Sequence, residues 1–341
     1  MRRLTLILSD LYLPEEAVPA NPVAAPLALP GLSWLLRFAA GSTPVSDWRQ
    51  WLAGELGVAD LGGLAPAQVA ARARLTPEVA ASAWFATPVL LSARLDHVRL
   101  VDRGLLRVDP GDHAAWCSEF SRHFGPEFQL HPGNTRGFLL SGAAFQASTT
   151  DPARLLDCDV APALPRGSDG LALRRLSAEI EMWLHTAPLN DARERARLPR
   201  ISALWLWGGG SSVVAPQASS GSLDAISLYG EDAFLSGLAA LASHVEPLPA
   251  PASLTALEGP ATHHVVEFAP MSGDAQESLA VLDDNWFVPA RTALAAGMFS
   301  SLDVVANDRC FRIAGRAGWR FWRRSRGWLD NLARDAQSAK A

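Results

Sequence analysis

The apolar run Leu4 to Leu8, stopped by Ser9 and Asp10, predicts a buried first strand. A proline-rich stretch follows. In Gly31 to Ala40, Leu32, Leu35, Leu36 and Ala39 then fall on one helical face. Asp47 to Leu56, Pro66 to Arg74 and a segment starting at Thr76-Pro77-Glu78 read as further helices, the last two by proline in the first turn. Ala83 to Leu91 and Val98 to Val108 read as extended. Trp116, Phe120 and Phe124 stand four apart within His113 to Phe124, a helical stripe. Leu130 to Asn134 (LHPGN) reads as a turn and Gly137 to Leu140 as a short strand. Behind Ser168 or Asp169 as cap, a strong helix places Leu173, Leu176, Ile180, Trp183 and Leu184 on one stripe. Ile201 to Trp207 is an apolar, aromatic strand that stops at Gly208, Gly209 and Gly210, before a flexible Ser/Ala/Gly stretch from Ser211 to Ser222. Later, Ala225 to Tyr229 and His263 to Phe268 read as strands. Asp232 to Ala242, Asp274 to Leu282 and Asp284 to Ala296 read as helices. Leu302 to Val305 and Cys310 to Ile313 flank an Asn307-Asp308 hairpin turn.

Strands mixed with helices throughout predict an α/β fold. With 341 residues, 49% of them hydrophobic, the chain can bury a large core. The expectation is one large domain over residues 1–330, with room for a subdomain within about 41–148, and a polar tail over 331–341. A net charge of -5 argues against a nucleic-acid footprint. Cys117, Cys158 and Cys310 are too far apart for paired-cysteine zinc or redox motifs, and they fit reduced thiols in a cytoplasm. The apolar run at the N-terminus is too short for a signal peptide. Pro19, Pro22, Pro26 and Pro30 break the uncharged stretch Ala17 to Leu36, which argues against a membrane helix.

A few residues could carry chemistry. Asp10, at the end of a strand, stands where metal and phosphate enzymes place ligands, and also where ordinary loops begin. Asn190 and Arg193, one helical turn apart, could face one anion. Equally, Asn190 could cap a helix while Arg193, Arg195, Arg197 and Arg200 form a solvated face. A strand running into Gly208, Gly209 and Gly210 would put bare backbone at a sheet edge, but the spacing matches neither dinucleotide nor P-loop patterns. Trp205 and Trp207 fit a core better than a stacking platform. His131 could bind an anion from a loop. Arginines and aromatics interleave from Gly315 to Trp328, which admits nucleic-acid binding as a second alternative function. In an acidic chain, a closing element with solvated arginines is favoured there.

The order Thr149-Thr150-Asp151-Pro152, then an amphipathic helix, then HTAPLNDAR (His185 to Arg193), then ALWLWGGG (Ala203 to Gly210) resembles one stretch of the archaeal-type cofactor-independent phosphoglycerate mutases, of the alkaline-phosphatase superfamily. The chain as a whole is similar to bacterial relatives called RpfE-type regulatory proteins. The resemblance implies a central, mostly parallel sheet flanked by helices. It also implies a pocket for a small phosphorylated or anionic ligand near Asp10, Asp151, Asn190, Arg193 and Gly208 to Gly210. Active members of the family use two divalent metals and a serine nucleophile, so Mn or Mg is expected only if this chain is a mutase or phosphatase. Here no histidine follows His264, no Asp-His-Gly element occurs, and the histidine of the Pro-x-Asn motif is displaced to His185. The resemblance therefore implies a non-catalytic regulatory or ligand-sensing protein, with a metal-dependent mutase or phosphatase as the alternative. No membrane partner is expected.

Overall fold

The computed structural model describes residues 2–13, 27–58, 64–210, 225–257, 259–315 and 327–333. Its strands are β1 (Arg3–Leu8), β2 (Ser42–Pro44), β3 (Trp84–Ala93), β4 (Val98–Leu105), β5 (Gln129–Asn134), β6 (Gly137–Ser141), β7 (Ala203–Trp207), β8 (Ile226–Tyr229), β9 (His263–Phe268), β10 (Ser301–Ala306) and β11 (Arg309–Ala314). Its helices are α1 (Pro30–Phe38), α2 (Trp48–Glu55), α3 (Pro66–Ala71), α4 (Pro77–Ala80), α5 (His113–Phe124), α6 (Gly170–Thr186), α7 (Pro188–Arg195), α8 (Ala233–Leu241), α9 (Ala275–Leu282), α10 (Val288–Ala295) and α11 (Trp328–Ala333). A π-helical turn, Asp283–Phe287, joins α9 to α10.

The chain divides into two compact units. One comprises Met1–Leu52, Ser222–Glu231 and Pro247–Ala341, the other Ala53–Gly221 and Asp232–Glu246. The second contains most of the 41–148 stretch and continues beyond it.

In the first unit six strands lie in the order β2-β11-β10-β1-β9-β8. β10, β1, β9 and β8 run parallel, while β11 is antiparallel to β10 and β2 to β11. The sheet is thus mixed. Parallel strands survive only where both faces are covered, and Leu4, Leu6 and Ile7 of β1 are all fully buried. Leu4, Leu6 and Leu8 pack into a core with Leu32, Leu35 and Leu36 of α1 and with Trp286 and Phe287. The Asp283 carboxylate accepts from Gly31 N (2.9 Å) and Leu32 N (2.8 Å), the free amides of α1's first turn. Burial raises its pKa above the ordinary value, and those two amides oppose the rise. The β10–β11 hairpin turns at Asn307 and Asp308, with φ of 49° and 57°, the left-handed conformations of a two-residue hairpin turn.

In the second unit β4, β3, β6 and β5 lie side by side, and β7 pairs with β3. Phe85 of β3 is opposite Leu139 of β6 and also Trp207, so β7 takes the other side of β3. Every pairing here is antiparallel. This corrects the expected single, mostly parallel sheet: the glycine-ended strand belongs to an antiparallel sheet. One face packs Trp84, Phe138, Leu140, Leu204 and Leu206 against Trp116 and Phe120 of α5 and the Leu173–Leu184 stripe of α6. Trp183 meets Trp116 and Phe120 edge-on, at 5.9 and 5.4 Å between centroids.

The LHPGN stretch is not a turn. It forms β5, with a register shift between Pro132 and Asn134, and the chain reverses at Thr135 and Arg136 instead. A proline that cannot donate to a ladder is tolerated on such an edge strand. Residues 211–224 and 316–326 lie outside the described residues, and with them the predicted flexible stretch and most of the Arg/Trp segment. Among the described residues no helix is long and apolar enough to cross a membrane.

Candidate functional site

The carboxyl ends of parallel strands are where open α/β sheets present ligands. β1 delivers Ser9 and Asp10 to that edge, and β9 delivers Glu267. Asp10 is 4% exposed and Glu267 2%. Asp10 Oδ1 accepts from Met271 N (3.1 Å) and Oδ2 from the Ser272 hydroxyl (2.7 Å). Glu267 Oε1 accepts from the Ser9 hydroxyl, and Oε2 from Glu231 N (3.2 Å). Burying two carboxylates is tolerable when hydrogen bonds satisfy their oxygens, as here.

A divalent metal needs several such donors converging on one point. Among the described residues no group of three or more His, Cys, Asp or Glu could hold one. The two histidines of β9 do not join Glu267. His263 and His264 pair with Arg3 and Leu4, at the opposite end of the strand. His263 Nε2 lies 2.9 Å from Thr5 Oγ1. His264 is buried with Nδ1 lacking a partner, and burial, then the charge of Arg2, holds its pKa below the ordinary value. The described residues do not fit a two-metal centre.

The remaining predicted residues belong to the second unit. Thr149 Oγ1 accepts from Gly208 N (3.2 Å), and Thr150 O accepts from Trp205 Nε1 (2.9 Å). The TTDP loop is thereby fastened to β7. Asp151 Oδ1 accepts from Ala153 N (3.0 Å), capping the short turn Pro152–Leu155. Asn190 is 1% exposed. Its amide donates to Leu184 O (2.8 Å) and Ile201 O (2.9 Å), and its oxygen accepts from Ile201 N (2.8 Å). Arg193 donates to Pro199 O (2.9 Å) and Arg107 O (3.2 Å). Burial lowers its pKa from the ordinary value, and Asp112 opposes this. Asn190 and Arg193 thus bind the backbone that leads from α7 into β7.

The three glycines are joints. Gly208, at φ +66°, accepts at its carbonyl from Ala67 N (2.8 Å). A Cβ on Gly209 would collide with the Trp84 ring. Gly210 O accepts from Gln68 Nε2, whose fully buried side chain also donates to Ala81 O (2.6 Å) and accepts from Ala65 N (3.0 Å). His131 Nε2 lies 2.7 Å from Ser141 Oγ, and burial lowers the His131 pKa. The structure therefore joins Thr149–Asp151 to the glycine turn, puts Asn190 and Arg193 at the approach to β7, and sets His131 beside Ser141. Asp10 lies in the other unit. Sequence reasoning missed Ser9, Glu267, Ser272, Gln68 and Ser141. Only Glu267, a charge at the end of an apolar strand, carried a readable signal.

No protein-family model and no curated protein matches the chain. Among solved structures it is similar to a cofactor-independent phosphoglycerate mutase from Thermoplasma acidophilum DSM 1728, at 16% identity over 92% of this chain and 90% of that one, with a TM-score of 0.40. It is also similar to the PH0037 protein from Pyrococcus horikoshii, at 10% identity over 92% and 87% of the two chains, with a TM-score of 0.43. Scores of this size do not establish a common fold.

Proposed function

We propose that this chain is a regulatory or ligand-sensing protein derived from a phosphoglycerate-mutase-like scaffold, without the family's two-metal chemistry. The scaffold part of the reading rests on the TTDP–HTAPLNDAR–ALWLWGGG order. The part that excludes two-metal chemistry rests on one observation. Both oxygens of Asp10, the residue in the position of a metal-binding aspartate, accept from Met271 N and the Ser272 hydroxyl. A ligand at Asp10 would have to displace these two hydrogen bonds, and each one broken and not replaced costs about 1–3 kcal/mol.

The test is turnover of 3-phosphoglycerate and of a chromogenic phosphomonoester, with and without Mn²⁺. The expected result is no metal-dependent turnover. Metal-dependent turnover that Asp10→Asn abolishes would overturn the reading and restore the mutase or phosphatase.

A further inference from the structure

Ser141 ends β6, and His131 lies on the neighbouring β5, where it pairs with Leu139. Residues two apart share a face of the sheet, so His131, Leu139 and Ser141 lie on the same side. The Ser141 hydroxyl is 2.7 Å from His131 Nε2. Phe85, opposite Leu139, shares that face, and its ring meets the Trp207 ring with centroids 4.7 Å apart. Ser141 itself is buried, 4% exposed, and directly after it come Gly142, Ala143 and Ala144, all exposed and small. Gly142 has φ +154°, a conformation that L side chains avoid. Its amide donates to the rotatable Ser82 hydroxyl at 3.2 Å. Ser82 in turn donates to Val79 O (3.0 Å).

A hydroxyl, an imidazole in contact with it and the backbone N–H of the following residue are the parts of an acyl-transfer site. We infer that Ser141 is a nucleophile served by His131 as base, with the Gly142 amide as oxyanion donor, and that it takes small apolar carboxylic esters. Burial lowers the pKa of His131 and so favours the neutral imidazole, the form that accepts a proton. Ser141 Oγ bonds to the acyl carbon while its proton passes to His131 Nε2. The ester C–O bond then breaks and that proton leaves with the alcohol. Water, deprotonated by His131, attacks the acyl-serine, releases the acid and regenerates Ser141. The step needs only ester and water. It lies in the second unit and is independent of the Asp10 edge.

The full chain is treated with a fluorophosphonate probe, with intact mass and peptide mapping as readouts, and assayed for p-nitrophenyl acetate and butyrate hydrolysis. The expected result is one adduct, on Ser141, with a labelling rate that falls as pH drops through the His131 titration. His131→Gln should slow labelling by about 10²-fold. Ser141→Ala should abolish both labelling and hydrolysis. Mapping on the unsubstituted chain needs no variant to fold. No adduct on Ser141, an adduct elsewhere only, or an unchanged rate in a folded His131→Gln protein would overturn the assignment.

Discussion

β1 and β7 are both short apolar strands that stop at a polar or glycine-rich turn, and they stop in different surroundings. β1 ends on the carboxyl edge of parallel strands, with Asp10 and Glu267 buried and hydrogen-bonded. β7 ends in an antiparallel sheet, and its glycines are held by Gln68, Ala67, Thr149 and Trp84. The more conspicuous motif is thus a packing joint. The less conspicuous residue, Asp10, sits where ligands bind in α/β folds. A strand running into glycines means close backbone approach, and here what approaches is the protein itself.

The largest expected effect that could break this comparison is at Asn190. If it holds the approach to β7, Asn190→Ala removes the Asn190 partner of the buried Ile201 N–H and of Ile201 O, and one of the two donors to Leu184 O, which Ala187 N still serves, and costs about 3 kcal/mol. A lowered melting midpoint checks it. An unchanged midpoint would return Asn190 to an anion-facing role. Gly209→Ala should come next, at about 2 kcal/mol, because the new methyl overpacks Trp84. Urea unfolding measures it, and a variant as stable as the parent would mean that the turn has room for a ligand.

Asp10→Asn should cost less, about 1.5 kcal/mol, since one of its two donors then faces an amide instead of a carboxylate oxygen. The same melts read it, and a stabilised variant would contradict the hydrogen-bonded role.

The smallest effect is pH dependence, and both units share it. Burial holds His264 in the first unit, and His113 and His131 in the second, below the ordinary value of 6.5. The unfolded chain therefore takes up protons first as pH falls. The stability from the neutral rings is complete above pH 6.5 and is lost progressively below it, through the folded-state values. Urea midpoints measured from neutral to mildly acid pH should fall, and His264→Leu should flatten the slope. Midpoints that rise on acidification would contradict the burial argument.

Local elements were legible in the sequence because their causes are local. The α6 stripe Leu173–Leu184 and the Asn307-Asp308 hairpin follow from spacing and turn chemistry. The LHPGN stretch misled because a Pro-Gly pair normally marks a turn, whereas β5 pairs with β6 alone among the described strands and tolerates both. The mixed sheet was not legible, since β1 pairs with residues some 260 and 298 positions away. Nor was the role of Asn190, whose partners converge only once α7 and β7 are in place. Asp10 was readable as a strand end. Ser272, which completes its hydrogen bonding, lies in a loop with no pattern of its own.

The most direct test of the central claim is calorimetric titration of the full chain with Mn²⁺. The account predicts no site of micromolar affinity at the Asp10 edge. Two Mn²⁺ per chain, bound tightly and lost in Asp10→Asn, would contradict it.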